Sequence, residues 1–486
     1  MSRARVDRYG EASRPLLITL LTTLYALLSS SALAQPTGFN APPPNGFEPQ
    51  APVASSSRAA SASGASGGAS ADGQLSLRSY YSGDSSETYP SEPFSITFLE
   101  ADLHAQRLTS GGLSLDLDST FILDVNEANE RRFGETERLD QIRQLSISQP
   151  LGSWTLSLGR RLMSYAGNAW VDGLEARLAL DHRRLFLGFY GGMSPDRFDR
   201  SLSPEDQSAG AYAELQRQGL SLAAAYNVIL SRGSLNRHFI FQRAHIKLHD
   251  TLHIADYLIV DLVNGLELTT GLLTLDYSPT EALNLTLNLS QYSLEQYRDQ
   301  AVYRNIIEPN QALILGNEAI DLVYRRARFS ASLQLNRTLY HYQMFEYKWR
   351  AQDGREALLY TIGARLEDAL GSGVELDGQA QLMDGFRADT LILSLTARRD
   401  LGQLLSVDAR AVHFTGRTLD LNSDRLRIFD EAQEIYLVGA SLFLRPHKSH
   451  HLIASYDGVY EAEVADFKSD EPLMIHTGML RYRYLY

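Results

Sequence analysis

From Leu75 to the final residue, Tyr486, this chain repeatedly alternates apolar and polar side chains with a period of two. Leu283, Leu285, Leu287 and Leu289 alternate with Asn284, Thr286, Asn288 and Ser290. Phe329, Ala331, Leu333 and Leu335 alternate with Ser330, Ser332, Gln334 and Asn336, and Leu113, Leu115 and Leu117 with Ser114, Asp116 and Asp118. Successive side chains of an extended strand point to opposite faces, so each run is a two-faced strand. A helix would scatter the same leucines around its circumference, and no helical period competes with this one. A soluble β-sandwich also alternates, so the choice between a sandwich and a barrel falls to the connections.

Short connections at Pro150 to Ser153, Asp181 to Arg184, Gln216 to Gly219, His249 to Thr251, Ser278 to Ala282, Arg325 to Arg328, Asp400 to Gln403 and Arg445 to Ser449 alternate with longer, more polar ones. The longer set is Asn126 to Asp140, Met193 to Ser208, Ser293 to Asn317, Glu346 to Arg355, Thr415 to Ala432 and Glu461 to Pro472, although Val263 to Gly265 is a short member. Outer-membrane barrels have short periplasmic turns and longer external loops, so this asymmetry gives the sheet an inside and an outside end. The expected fold is all-β: a transmembrane antiparallel β-barrel of about 22 strands, within a range of about 18 to 24, with both ends on the periplasmic side. Negative mean hydropathy is compatible with this, since only half of each strand faces lipid.

The two ends of the chain agree with export to such a membrane. Arg3, Arg5, Arg8 and Arg14 precede the apolar run Leu16 to Leu28 and the small-residue site Ala32-Leu33-Ala34. This is a signal peptide over 1–34 with cleavage before Gln35, its apolar core being too short to span a bilayer well. At the other end Leu480, Tyr482, Tyr484 and Tyr486 share one face, opposite Arg481 and Arg483. Aromatic rings suit the headgroup level. The ending resembles the C-terminal signal of bacterial outer-membrane β-barrels, which implies recognition by the barrel-assembly machinery and contact with outer-membrane lipid.

Between these ends, 35–73 is a Pro/Ser/Ala/Gly-rich segment expected to be a disordered linker, leaving 74–486 as the barrel. The linker is too short and polar to form a plug domain, so loops must narrow so wide a lumen. Gly64-Ala65-Ser66-Gly67-Gly68 matches a hydrolase nucleophile pattern but sits between no strand and helix. The chain has no cysteine, which excludes disulfides and thiolate chemistry. Its formal charge of −13, more negative still without the arginine-rich leader, argues against nucleic acid as a partner.

If the apolar faces meet lipid, the lumen is lined by Asp116 and Asp118; Glu175 and Arg177; Arg243, His245 and Lys247; Glu375 and Asp377; Arg398; Asp408 and Arg410; and Arg481 and Arg483. Such charges tune solute selectivity by their local field, or they pair across strands as rigidifying salt bridges. Asp408 with Arg410 looks like an internal pair, whereas Arg243, His245 and Lys247 are harder to neutralise locally. Gly159-Arg160-Arg161-Leu162, a loop, and Trp170-Val171-Asp172-Gly173-Leu174-Glu175-Ala176 resemble the Gly-Arg and Asp-Gly strands of alginate-export-type and related porins. Arg161 stands where that family usually has Gln. The resemblance implies a solute pathway; by itself, Asp172-Gly173 reads as an interface turn at a strand start.

The connection Ser293 to Asn317 carries Tyr297, Tyr303, Ile306, Ile307 and Ala312-Leu313-Ile314-Leu315, more apolar surface than a loop in water needs. Folding into the barrel mouth, contacting a partner and extending strands above the membrane are all compatible with it. No catalytic constellation emerges, and neither the scattered histidines nor His450-His451 has metal-ligand spacing. No cofactor is implied. The expected function is a porin-like channel passing small hydrophilic solutes or ions. The alternatives are an export or surface-assembly component for polysaccharide, using the linker as tether to a periplasmic partner, and an outer-membrane enzyme.

Overall fold

The computed structural model describes residues 69–84, 93–125, 141–195, 202–263, 265–293, 323–350, 354–385, 388–418, 432–461 and 473–486. The expected signal peptide, the linker up to residue 68 and the 293–317 connection beyond Ser293 lie outside the described residues.

The strands run in chain order. The first eleven are β1 (Ser70–Asp84), β2 (Phe94–Gln106), β3 (Ser114–Val125), β4 (Gln141–Leu151), β5 (Trp154–Met163), β6 (Ala169–Leu180), β7 (Leu185–Met193), β8 (Asp206–Arg217), β9 (Leu220–Ser231), β10 (Ser234–His249) and β11 (Leu252–Asp261). The second eleven are β12 (Glu267–Thr280), β13 (Leu283–Ser293), β14 (Val323–Gln334), β15 (Leu339–Arg350), β16 (Glu356–Leu366), β17 (Val374–Asp384), β18 (Ala388–Asp400), β19 (Leu405–Thr418), β20 (Ala432–His447), β21 (His450–Glu461) and β22 (Leu473–Leu485). Each pairs antiparallel with the next, and β22 pairs with β1. The sheet is therefore a closed 22-stranded barrel. Closure leaves no strand edge with unpaired backbone groups, the condition a sheet must meet to sit in hydrocarbon. Among the described residues every segment is a strand of the wall or a connection between strands, and none forms a plug domain.

Among the boundaries that differ from the sequence reading, three have a clear physical reason. β1 starts at Ser70, so Ser70 to Gly73 belong to the wall, paired with Gln106 to Leu103 of β2. Backbone pairing to a neighbour orders residues whose small side chains alone would not. Arg325 to Arg328, expected as a turn, lie inside β14, and the turn falls after Gln334. Arg326 and Arg328 face the interior, where charge is no break in a strand, while Arg325 faces out near the strand end and donates to Gln291. For the same reason Glu346 to Arg350, expected in a connection, complete β15.

Leucines and aromatics cover the outer face. Leu158, Phe189, Leu382, Leu395 and Leu480 are each more than half exposed. Outward rings gather near both ends of the strands. Tyr81, Tyr347, Trp349, Tyr436 and Tyr460 lie toward the long connections, and Trp154, Tyr277, Tyr482, Tyr484 and Tyr486 toward the short ones. An apolar band between two aromatic girdles is the outer surface of a membrane-spanning barrel.

Candidate functional site

The interior is identified by a turn that packs against it. Between β5 and β6 the chain makes a 3-10 turn, Ser164–Ala166, then passes Gly167 (φ +76°) and Asn168 (φ +60°) in left-handed conformations. Ala166 is wholly buried. The Tyr165 ring lies 4.4 Å from that of Tyr212 on β8, a Cβ on Gly167 would stand 3.2 Å from the Phe239 ring of β10, and Asn168 Nδ2 donates to the Tyr257 hydroxyl of β11 at 3.2 Å. A turn can touch strands so far around a closed wall only from the concave side. Met163, Val171, Tyr190, Tyr212, Phe239 and Phe241 join it in one buried apolar cluster. Part of the interior wall is thus dry and filled, and this narrows the lumen from one side.

Glu175, 2% exposed, pins the turn. Its Oε1 accepts from the hydroxyls of Tyr165 and Tyr212, both at 2.5 Å, and its Oε2 takes Arg161 Nη1 at 2.6 Å. Burial, and then the Glu175 charge, push the Tyr165 hydroxyl well above its ordinary pKa, so it stays protonated and donates. Glu175 was expected to line the lumen; it faces inward but lies beneath the turn. Arg177 is paired with Glu214 at 2.7 Å and covers the Phe186 ring at 3.9 Å.

The same wall repeats one device. A tyrosine lies across a glycine on the adjacent strand and donates to an acceptor on the strand beyond. Tyr212 crosses Gly188 to reach Glu175, Tyr190 crosses Gly210 to reach Asn227 Oδ1 at 2.5 Å, and Tyr342 crosses Gly363 to reach Asp377 Oδ1 at 2.7 Å. A Cβ on Gly210 would sit 2.7 Å from the Tyr190 ring, so only glycine leaves room. Nearby, Gly159, Gly173 and Gly192 fall side by side on β5, β6 and β7. Arg160 flanks that row, holding both oxygens of Asp172 at 2.6 Å. Asp172-Gly173 therefore lies within β6 rather than at an interface turn.

Followed from strand to strand through the register, the alternation places every proposed lumen residue on the inner face. Most of them are paired. Asp116 contacts His104, Asp118 takes Arg143 at 2.6 Å, and Arg365 bridges Asp377 at 3.0 Å and Glu375 at 3.3 Å. Arg398 lies 3.9 Å from Asp400. Arg410 does not pair with Asp408, its neighbour two residues back; it reaches Asp457 on β21 at 2.8 Å, crossing Gly439 of β20. Residues two apart on a strand share a face but stand along it, whereas the row straight across a glycine is open. Arg483 opposes His451 in register, and Arg481 bonds to Ser76 and Glu100.

Arg243, His245 and Lys247 run toward the short-connection end of β10. Arg243 makes no ion pair among the described residues, the His245 ring stands 6.1 Å from that of His253, and Lys247 meets only the exposed turn residue Asp250 at 2.7 Å. That bond holds the Asp250 carboxyl below its usual range. A second inward cluster escaped the sequence reading because its residues were assigned to connections. Glu346, 1% exposed, is held by Arg328 Nε at 2.6 Å and Lys348 Nζ at 2.7 Å, with Arg326 at 3.7 Å. Three cations around one carboxylate leave an excess of positive charge on β14 and β15. The signal was present: the alternation of β14 extends back through Ala327 and Arg326.

The C-terminal tyrosines face outward with Leu480. The Tyr482 hydroxyl lies 2.7 Å from His450 Nδ1, and the Tyr484 ring stands 5.0 Å from the same imidazole.

No protein-family model matches this sequence, and no curated protein matches it. Among solved structures the chain is similar to OccK10 (OpdN) of Pseudomonas aeruginosa, with 11% identity and a TM-score of 0.41 over 85% of this chain and 99% of that one. It is similar to OccAB2 of Acinetobacter baumannii, with 12% identity and a TM-score of 0.42 over 86% and 98%. A BenF-like porin of Pseudomonas fluorescens Pf-5 gives 9% and 0.38 over 86% and 99%. What establishes the fold is the closure of the chain's own register and its apolar outer band. The protein is a closed, membrane-spanning β-barrel.

Proposed function

We propose that the barrel is a passive channel for small hydrophilic solutes and ions, and that its interior favours anions. The observation that carries this reading is the division of the inner wall. One sector is dry, filled by the 164–168 turn and its aromatic cluster, while the remainder presents hydroxyls, amides and charges. A hydrated solute is expected to follow the polar sector, where wall groups replace part of its hydration shell. Arg243 and Lys247 at one end, and the cations gathered on Glu346 toward the other, would set a local positive field although the whole chain is acidic. Selectivity follows the field along the path and not the net charge. Transport of this kind needs no catalytic residue and no cofactor.

Reconstitution of the purified protein into planar bilayers tests the proposal. Persistent ohmic conductance with anion-leaning reversal potentials is expected. A barrel that stays closed alone and opens only with added periplasmic proteins would overturn it in favour of an export component.

A further inference from the structure

We infer that the seam between β22 and β1 is held by a clasp on each face: Tyr486 over Gly73 outside, and Arg481 on Glu100 inside, each reaching past β1 to β2. In an up-and-down barrel every other neighbouring pair is a hairpin, closed across a short stretch of chain. The seam joins the first strand to the last, so its closure costs the most chain entropy. Opening it would expose two strand edges to hydrocarbon.

On the outer face, Gly73 and Tyr486 exchange both backbone hydrogen bonds, each at 3.2 Å. The Tyr486 ring then lies across Gly73, and its hydroxyl donates to the Asp102 carbonyl of β2 at 3.2 Å. A Cβ on Gly73 would stand 2.8 Å from that hydroxyl. This repeats the arrangement of Tyr190, Tyr212 and Tyr342, each crossing a neighbouring glycine to an acceptor one strand further on. Here it is built from the final residue of the sequence. On the inner face Arg481 Nε donates to the buried Ser76 Oγ of β1 at 2.8 Å, and its Nη2 meets Glu100 Oε2 of β2 at 2.7 Å. Arg78 of β1 takes the other carboxylate oxygen at 3.0 Å.

Bonds that skip a strand change what opening requires. A ladder between β22 and β1 alone can fray one hydrogen bond at a time. With β22 also tied to β2 on both faces, β1 is held beneath, and fraying at this end must break a clasp first. Tyr486 thus has a role in the finished barrel that is separate from recognition during assembly, and Arg481 is a positioning residue rather than a free charge in the lumen.

The test uses full-length mature protein refolded into detergent micelles with no assembly machinery, so that recognition of the C-terminus plays no part. The unfolding rate is read from loss of the folded, heat-modifiable band at fixed temperature. Tyr486→Phe keeps the terminal ring and removes the hydroxyl; it should unfold about fivefold faster, the ratio that one net hydrogen bond represents. Glu100→Gln should unfold about tenfold faster, because charge-assisted bonds are stronger. Tyr456→Phe is the control, since it removes an outward hydroxyl that ties β21 to His476 at the opposite end of β22, away from both clasps. Acceleration of both seam variants well beyond the control supports the clasp. If either seam variant unfolds no faster than Tyr456→Phe, the two-sided clasp is wrong.

Discussion

Replacing Glu175 with Ala should release the 164–168 turn from the inner wall and widen the channel. The carboxylate anchors three groups at once: Arg161 and the hydroxyls of Tyr165 and Tyr212. Removing one partner of a buried ion pair costs about 3–5 kcal/mol. Arg161 is 23% exposed, so the lower figure applies here. Each buried hydroxyl left without its acceptor costs about 1–3 kcal/mol. The loss is therefore about 5 kcal/mol or more. Set against it are the Asn168 to Tyr257 hydrogen bond, about 1 kcal/mol, and the Tyr165–Tyr212 ring contact, about 1 kcal/mol. Burial of the turn's apolar area adds about 2 kcal/mol. The loss exceeds what remains, so the turn should leave the wall.

Two assays read this. Single-channel conductance in planar bilayers should rise by about half or more, with Glu175→Gln intermediate because it retains one acceptor. Independently of conduction, the absence of native cysteine allows Ala166→Cys as a single reporter; it should resist thiol reagents in the parent, where Ala166 is wholly buried, and react in the Glu175→Ala background. A properly folded Glu175→Ala barrel with parental conductance, and with the Ala166→Cys thiol still protected, would refute the reasoning.

Replacing Arg243 and Lys247 together with Glu should shift reversal potentials toward cations, more at low salt, where screening is weaker. An unchanged potential in a folded double mutant would place these residues off the conducting path. On the wall of β18, Leu393→Arg should destabilise the barrel by about 2–4 kcal/mol because it faces mid-bilayer lipid. Ser394→Arg, one residue on and facing inward, should cost far less; equal losses in urea unfolding would mean that the assigned faces are wrong.

Much of the fold was legible because it depends on a local rule. A strand half in lipid must alternate, so the leucines of β13 and β14 announce both the strand and its outward face. The alternation of short and long connections then implied an even, closed sheet, and the girdle tyrosines marked its closing strand. The rule failed where composition misleads about local structure. Ser70 to Gly73 look like linker because they are small and polar, and Arg325 to Arg328 look like a turn because they are charged. Both are ordered by neighbours that the local sequence does not reveal.

The interior charges could be read as a set, because inward-facing positions follow from the same period of two. Their partners could not, because pairing depends on register and on where a glycine leaves the way across a strand open. Arg410 stands two residues from Asp408 yet bonds to Asp457, since Gly439 leaves the space between them clear. Glu175 reads as a charge on a pore wall until the turn from Ser164 to Asn168 is seen to cover it. That turn is the part the sequence was least able to reveal: its contacts on β8, β10 and β11 lie far along the chain and meet only because the sheet closes on itself. Alternation determined that there is a wall with two faces; closure decided which inward groups meet water and which are buried against one another.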